Sequence, residues 1–338
     1  MTRRLLARIA LGLLAVGLWP GSAAAYEPPG TAAWLADTVD GHPLPDPASA
    51  SPADVAAFFA ALAPETASDL ARRHPGVVGN LDGAPLALRY EANERTAGLP
   101  GRQLLAYDPT GDGRIAEVVG DLATAERVAV IVPGVDTTLG NFHTGLGGRQ
   151  ERSPLWQARQ VFEAAGDDRL AVIAWLGYDA PENGGLSTMS LIRSDRAESG
   201  GESLAGLLDG LALASPQATV TVIGHSYGST VAAYAAPAFP AQVTDLVALG
   251  SPGMDVDTAA ELGTNARVWA GLAADDPITN VPDLRVLGLG HGEDPADAEF
   301  GALRLDATGN SGHDGYFVPG ATVLRGLTAI IESTRSAA

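Results

Sequence analysis

Short apolar runs recur along the chain, and longer segments with helical spacing separate them. The runs 128–132 and 220–223 are unbroken and rich in β-branched residues, which is typical of strands covered on both faces and therefore of a parallel sheet. The alternation predicts one α/β domain over residues 53–338, built on a doubly wound, mostly parallel sheet. The predicted strands are 86–91, 103–107, 127–132, 170–175, 218–223, 243–249, 267–272 and 284–287. The predicted helices among them are 153–165, 201–214, 226–236 and 320–333.

A helical preface is expected before the first strand, over residues 53–82. Ser51 and Pro52 fit the N-cap and the first position of a helix, and apolar residues follow them at helical spacing. A second helix is predicted over residues 65–73. Residues 26–52 are rich in Pro, Gly, Asp and Ala, which indicates a linker or an arm that lies on the surface.

The first 25 residues have the pattern of a secretory signal peptide. Three arginines precede the apolar run 9–19, and small residues at 23–25 form a cleavage pattern. The apolar run is shorter than the roughly 18–20 residues that a membrane span needs. We therefore predict export to the cell envelope or the medium, with cleavage after Ala25 and no stable membrane span in the mature form. The arginine pair at 3–4 also resembles a twin-arginine signal, so the export route stays open.

The composition narrows the chemistry. The chain has no Cys, and every basic residue is Arg, which excludes cysteine nucleophiles, thiolate metal sites and lysine-based catalysis. No two histidines stand four residues apart, so a helical zinc site is excluded, and we expect no metal and no cofactor. The formal charge of −19 becomes −22 once the three leader arginines are removed, which argues against a nucleic-acid partner. The oligomeric state is unknown from sequence.

Gly224-His225-Ser226-Tyr227-Gly228 forms a G-x-S-x-G motif. It directly follows an apolar strand and directly precedes a good helix-forming segment. This is the context of a nucleophile elbow, in which a strained turn exposes the serine and the two glycines leave room for it. We therefore predict Ser226 as a nucleophile, with Gly224, His225 and Gly228 completing the elbow.

A serine hydroxyl needs a base to become a nucleophile. Where the serine lies on a nucleophile elbow, the acid and the histidine follow it along the chain. His291 and His313 are the histidines after Ser226. His313 is favoured because it lies in a loop between the last strand and the final helix, whereas His291 lies in an acidic loop. Asp276 is favoured as the acid because Pro277 turns the chain behind it, and Asp275 is the alternative.

An oxyanion hole needs two backbone N–H groups. One is expected from Tyr227, the residue after the nucleophile. The other is expected from the loop after strand 127–132, where Gly134 lets the backbone turn inward and Val135 is the predicted donor.

The chain resembles an α/β-hydrolase, and more narrowly an actinobacterial α/β-hydrolase family with no assigned substrate. The resemblance runs from about residue 53 to residue 331 and implies Ser226, Asp276 and His313 as a triad. One departure is Val135-Asp136, where the family more often has Met-Gly, so a carboxylate is expected beside the oxyanion hole. The segments that carry the resemblance are 75–85 with Arg89 and Ala92-Asn93, 132–138, Asp294-Pro295, 300–302, Gly312-His313 and Tyr316-Phe317.

These features predict an exported serine hydrolase that cleaves a small-molecule or lipid-like carboxylic ester through an acyl-enzyme. Residues 177–201 look like an inserted cap that would shape the acyl pocket. Two alternatives remain. One is an amidase or peptidase with the same triad, and the other is a non-catalytic binding protein with a hydrolase fold.

Overall fold

A computed structural model describes residues 26–182, 194–280 and 292–333. Within these ranges the core is one sheet of eight strands in the order β10-β9-β8-β7-β5-β6-β4-β3, and a separate two-stranded ribbon pairs β1 with β2. The strands are β1 Thr38–Val39, β2 His42–Pro43, β3 Leu104–Asp108, β4 Arg114–Val119, β5 Arg127–Val132, β6 Leu170–Leu176, β7 Thr219–His225, β8 Val243–Leu249, β9 Arg267–Gly271 and β10 Leu303–Arg304. The helices are α1 Thr31–Leu35, α2 Pro52–Ala60, α3 Pro64–Arg73, α4 Pro75–Val78, α5 Leu86–Ala97, α6 Pro154–Ala165, α7 Asp195–Ala214, α8 Tyr227–Ala235 and α9 Thr322–Ser333.

The predicted mostly parallel α/β sheet is confirmed. Strands from β10 to β6 pair in parallel, and among the described strands of this sheet only β4 runs in the opposite direction, pairing antiparallel with both β6 and β3. The central strands β6 and β7 are buried along their whole length, because helices cover both faces of a parallel sheet. The carboxyl ends of β5, β7 and β9 therefore meet at one edge, where the loops that follow them converge.

One predicted strand, 86–91, is wrong, because this segment is the start of helix α5. The alternation of Leu86, Leu88 and Tyr90 gave a strand-like pattern. In the helix, Arg89 and Asn93 lie on one face, and both donate to carbonyl oxygens of β3. The buried face of α5 is therefore polar, so it lacks the apolar stripe that normally reveals a helix. Strand β4, which pairs with β3 and β6, was not among the predicted strands.

The preface forms its own small hydrophobic core beside the sheet. Helix α2 begins with Ser51 as N-cap and Pro52 as its first residue, as predicted, and Asp54 completes a capping box in which the Ser51 hydroxyl accepts from the Asp54 N–H. Residues 26–52 pack against this core as an arm: Trp34 is fully buried, and its indole N–H donates to the Pro45 carbonyl at 2.6 Å. Two elements in this segment, α1 and the β1–β2 ribbon, make it more than a linker.

Some predictions fall outside the described residues. These are the leader 1–25, the strand 284–287, His291 and the middle of the cap-like segment, of which residues 177–182 and 194–201 are described. The part of that segment after residue 194 is the beginning of α7. No helix in the described ranges is long and apolar enough to cross a membrane.

Candidate active site

Ser226 sits at the turn between β7 and α8, as the elbow prediction requires. Its backbone has φ of 56° and ψ of −133°, in the positive-φ region that residues with a Cβ rarely occupy. Its N–H donates to the Leu249 carbonyl at 2.9 Å, which ties the turn to the neighbouring strand. A strained residue that is held in this way at a strand end is a common feature of functional sites.

The glycines of the elbow are required by close backbone approach. A Cβ on Gly228 would lie 2.1 Å from the Val132 carbonyl oxygen, and one on Gly224 would lie 2.5 Å from the Ser229 Cα. Gly134 in the loop after β5 meets the same limit, because its Cβ would lie 2.7 Å from the Ser226 Cβ. Van der Waals contact excludes such distances, so only glycine lets the loop after β5 and helix α8 approach Ser226 this closely.

His313 and Asp276 lie side by side although they are far apart in sequence. The His313 Nδ1 is 2.9 Å from each carboxylate oxygen of Asp276. The carboxylate also accepts the Tyr316 hydroxyl and the Ile278 N–H. Asp276 is 1% exposed. Burial opposes its ionisation, but the hydrogen bonds from His313 and Tyr316 outweigh it and lower the pKa of Asp276.

Asp275, the alternative acid, faces a different partner. It accepts the Gly312 N–H at 2.7 Å and the Ser311 hydroxyl at 3.1 Å. The hydrogen bond from Gly312 N–H is the main reason that the pKa of Asp275 is lowered. The two neighbouring carboxylates therefore point to different parts of residues 309–315, which we call the base loop: Asp276 contacts the imidazole, and Asp275 contacts the backbone before it.

His225, an elbow residue, also touches the base loop. Its Nε2 lies 2.8 Å from the His313 carbonyl oxygen, and its ring centroid is 4.8 Å from that of His313. Burial, followed by the nearby His313, lowers the pKa of His225 to about 4. His225 is therefore neutral at physiological pH.

The loop after β5 contains Val135, one of the two predicted oxyanion donors. Tyr178 donates its hydroxyl to the Pro133 carbonyl at 2.6 Å, which fixes the start of this loop. The Asp136 N–H is used by the Pro181 carbonyl at 2.9 Å, whereas the Val135 N–H has no acceptor among the described residues. Tyr227, the second predicted donor, is the first residue of α8 and directly follows Ser226. The backbone thus offers Val135 rather than Asp136 as the donor from this loop.

A cavity of about 190 Å³ opens above Ser226 and brings these parts together. Its wall includes Ser226, His313 and Val135, so the predicted nucleophile, the predicted base and one predicted oxyanion donor face one space. Asp136 lies in the same wall, as the departure at Val135-Asp136 predicted. The lining residues are Pro133, Gly134, Val135, Asp136, Thr137, Leu146, Arg152, Gln157, His225, Ser226, His313 and Asp314.

Three residues contribute to the site without a local signal in the sequence, namely Tyr316, Arg152 and Asp314. Tyr316 was noted only as part of a resemblance, yet its hydroxyl joins Asp276 to the Ala273 N–H. Arg152 pairs with Asp314 at 2.8 Å beside the base. Spacing alone does not reveal such contacts, since the partners are 40 and 162 residues apart. No cluster of three or more metal-ligating side chains occurs in the described ranges.

A family model described as "Alpha/beta hydrolase" matches residues 108–286, more than half of the chain. The chain belongs to the alpha/beta hydrolase family. The matched range contains the elbow, the loop after β5 and Asp276, and it ends before His313.

Among curated proteins the chain is similar to two mycobacterial proteins. It is 28% identical to the uncharacterized protein Rv2079 of Mycobacterium tuberculosis over 85% of this chain and 56% of that protein. It is 32% identical to the uncharacterized protein Mb0988c of Mycobacterium bovis over 62% of this chain and 81% of that protein. The chain thus spans little more than half the length of the former relative.

Solved structures of hydrolases are also similar. One is a dienelactone hydrolase from Anabaena variabilis, 18% identical with a TM-score of 0.41, covering 68% of this chain and 95% of that one. Another is a lipase-esterase related protein from Clostridium acetobutylicum, 11% identical with a TM-score of 0.38, covering 65% and 98% respectively.

Proposed function

We propose that the protein is an exported serine hydrolase that cleaves carboxylic esters through a Ser226–His313–Asp276 triad. The observation that carries the proposal is the shared cavity: Ser226 at a strained elbow and His313 on a buried carboxylate line the same wall. An imidazole that faces the same space as a serine hydroxyl, and that a carboxylate orients through its far nitrogen, is the arrangement that makes serine nucleophilic.

In the first half-reaction the Ser226 Oγ attacks the ester carbonyl carbon and gives its proton to the His313 Nε2. Asp276 accepts the Nδ1–H, which selects the tautomer with a free Nε2 and stabilises the imidazolium. The negative charge that develops on the carbonyl oxygen is held by the N–H groups of Val135 and Tyr227. The C–O bond to the alcohol then breaks, and the alcohol leaves with the proton from Nε2.

In the second half-reaction water takes the place of the alcohol. His313 removes a proton from water, the hydroxide attacks the acyl carbon, and the same two N–H groups hold the oxyanion. The bond to the Ser226 Oγ breaks, and the proton on Nε2 returns to the serine. The products are one carboxylic acid and one alcohol per ester, with the protein unchanged.

The wall of the cavity favours short acyl groups over long ones. Charged side chains of Asp136, Arg152 and Asp314 lie within it, and a long alkyl chain would remove them from water without replacing their hydrogen bonds. A series of p-nitrophenyl esters of increasing acyl length should therefore give the highest kcat/KM for the short members. A maximum at long chains would instead support a lipid-like substrate.

Labelling with a fluorophosphonate probe tests the nucleophile. The wild type should label, and Ser226→Ala should not, while the control Ser203→Ala should label like the wild type because that hydroxyl bonds only within helix α7. Absence of labelling in folded wild type would overturn the proposal, as would equal labelling of Ser226→Ala. Paired assays on an ester and an amide of one acyl group then test the ester preference.

Export is tested separately. Expression of the full chain in an actinobacterial host, followed by N-terminal sequencing of the protein in the medium and envelope fractions, should give a mature chain that starts at Tyr26. A chain that keeps residues 1–25 would contradict the predicted cleavage without affecting the catalytic proposal.

A further inference from the structure

His225 precedes the nucleophile, yet its side chain points to the loop that carries the base. We infer that His225 is a positioning residue, which holds the His313 main chain and thereby sets the distance between base and nucleophile. The inference rests on the proposed function, since it assigns a role within the same site.

The direction of the hydrogen bond follows from its partners. The His313 carbonyl oxygen can only accept, so the His225 Nε2, 2.8 Å away, must carry the proton and donate. The neutral His225 ring therefore exists as the Nε2–H tautomer. A donor at this position stays in place through the reaction, whereas a deprotonated Nε2 would repel the carbonyl oxygen.

Two independent constraints then fix the catalytic imidazole. Asp276 orients the ring of His313 through Nδ1, and His225 fixes the backbone atoms from which that ring projects. His225 and Ser226 are consecutive residues. The bond from His225 therefore fixes the position of the base loop relative to the nucleophile. Displacement of a catalytic group by about 1 Å can cost on the order of 10²-fold in rate.

Two other contacts of the base loop, those made by Asp275 and Arg152, are more open to solvent. The Asp275–Gly312 hydrogen bond is solvent-exposed, and in the Arg152–Asp314 pair Arg152 is 35% exposed. Water competes for both, so each contributes little. His225 is 8% exposed, and its ring is packed against the rings of His313, Tyr316 and Phe317. Of these three contacts, the bond from His225 is therefore the one best shielded from water.

The test compares His225→Leu, which removes the donor, with His225→Gln, whose Nε2 can donate over a similar reach. His225→Leu should lower kcat on a short ester by about 10–10²-fold with KM within about twofold, because the base is displaced while leucine keeps most of the volume that His225 gives to the cavity wall. His225→Gln should restore most of kcat. The control is His74→Leu, which removes a histidine bonded to Asp37 in the preface and should leave kcat unchanged.

Fluorophosphonate labelling separates this inference from the proposed function. If wild type labels and His225→Leu labels at the same rate, the positioning role is wrong and the triad stands. If wild type does not label, both fail. If the Leu and Gln variants lose activity equally, the donor is not what matters, and the inference is overturned.

A measurement on the wild type covers the case in which His225→Leu does not fold. In protein labelled with ¹⁵N-histidine, the imidazole nitrogen shifts distinguish the two neutral tautomers, and His225→Gln assigns the signal. The inference requires a His225 ring with a proton on Nε2 at pH 7. A neutral ring with its proton on Nδ1 would refute it, because Nε2 could not then donate to the His313 carbonyl.

Discussion

The elbow and the base loop both present a side chain to the same cavity, but different forces hold them. The elbow, residues 224–228, is fixed by backbone packing: its glycines lie against Val132 and Ser229 with no room for a Cβ. The base loop is fixed by side chains from distant elements, namely His225, Asp275 and Asp276. Glycines in this loop have open space around them instead.

The contrast separates two ways of building a site. Steric packing tolerates no added atom, so a small change in the elbow has a large effect on the fold. Hydrogen bonds can be removed one at a time, so changes around the base loop should be graded by burial. The four predictions below follow that gradient from the elbow outward.

The largest effect is expected from Gly228→Ala. The added Cβ would lie 2.1 Å from the Val132 carbonyl oxygen, and backbone cannot move away as a side chain can. We expect destabilisation at or above the upper end of about 1–3 kcal/mol together with loss of labelling at Ser226. Gly315→Ala in the base loop is the control, since its Cβ meets nothing within 4 Å. Equal melting temperatures for the two variants would contradict the packing argument.

The next largest effect should separate two adjacent carboxylates. Asp276→Asn keeps the size of the side chain but removes the charge that orients and stabilises the His313 ring. A comparable substitution in a serine protease costs about 10⁴ in kcat, and we expect a loss of 10³–10⁴ here. Asp275→Asn keeps an oxygen that can accept the Gly312 N–H, so its kcat should stay within about threefold of wild type. Steady-state kinetics with one short ester decides, and a larger loss for Asp275→Asn would reverse the two roles.

The elbow was predictable from the sequence, whereas the contacts of the base loop were not. Ser226 and the elbow glycines were predictable, because a strand, a G-x-S-x-G and a helix occur within a few residues of each other. The strands 127–132 and 243–249 were predicted with their observed bounds, since buried parallel strands are nearly continuous apolar runs.

Contacts between distant segments were not predictable in the same way. The order of strand ends indicated where the acid and base lie, but only the fold shows which of Asp275 and Asp276 faces the imidazole. The contribution of Tyr316 depends on a bond to a residue 40 positions away. Helix α5 was missed because Arg89 and Asn93 bury polar groups that are satisfied by β3, a partner that local periodicity does not reveal.

A moderate effect is expected from Tyr316→Phe. This change removes one donor to Asp276 and leaves the buried Ala273 N–H without its acceptor, at a cost of about 1–3 kcal/mol. We expect kcat to fall roughly tenfold. Because the pKa of Asp276 is lower in the folded state than the unfolded value of about 3.9, its ionised carboxylate stabilises the folded protein when the pH is above that value. This stabilisation is lost as the pH falls through the folded-state pKa.

Loss of the Tyr316 donor raises the pKa of Asp276 toward the unfolded value, so the loss of stability on acidification should be smaller in the variant and complete at a higher pH. Urea unfolding of both proteins between about pH 3 and pH 6 measures it. Parallel stability curves would show that the Tyr316 bond does not favour the ionised carboxylate.

The smallest effect is expected from Arg152→Met at the rim. Arg152 holds Asp314 at 2.8 Å, and Arg149 lies 3.5 Å from the same carboxylate, so the base loop keeps a second cation. Partly exposed pairs contribute about 0–1 kcal/mol, and we expect the labelling rate to fall no more than about threefold. Salt screens such pairs, so the wild-type rate should approach the variant rate as salt increases. Arg169→Met removes a pair with Glu126, both more than half exposed, and should not change the rate. A loss of more than tenfold for Arg152→Met that salt does not change would contradict this prediction. It would mean that Arg152 acts by contacting the substrate rather than by holding Asp314.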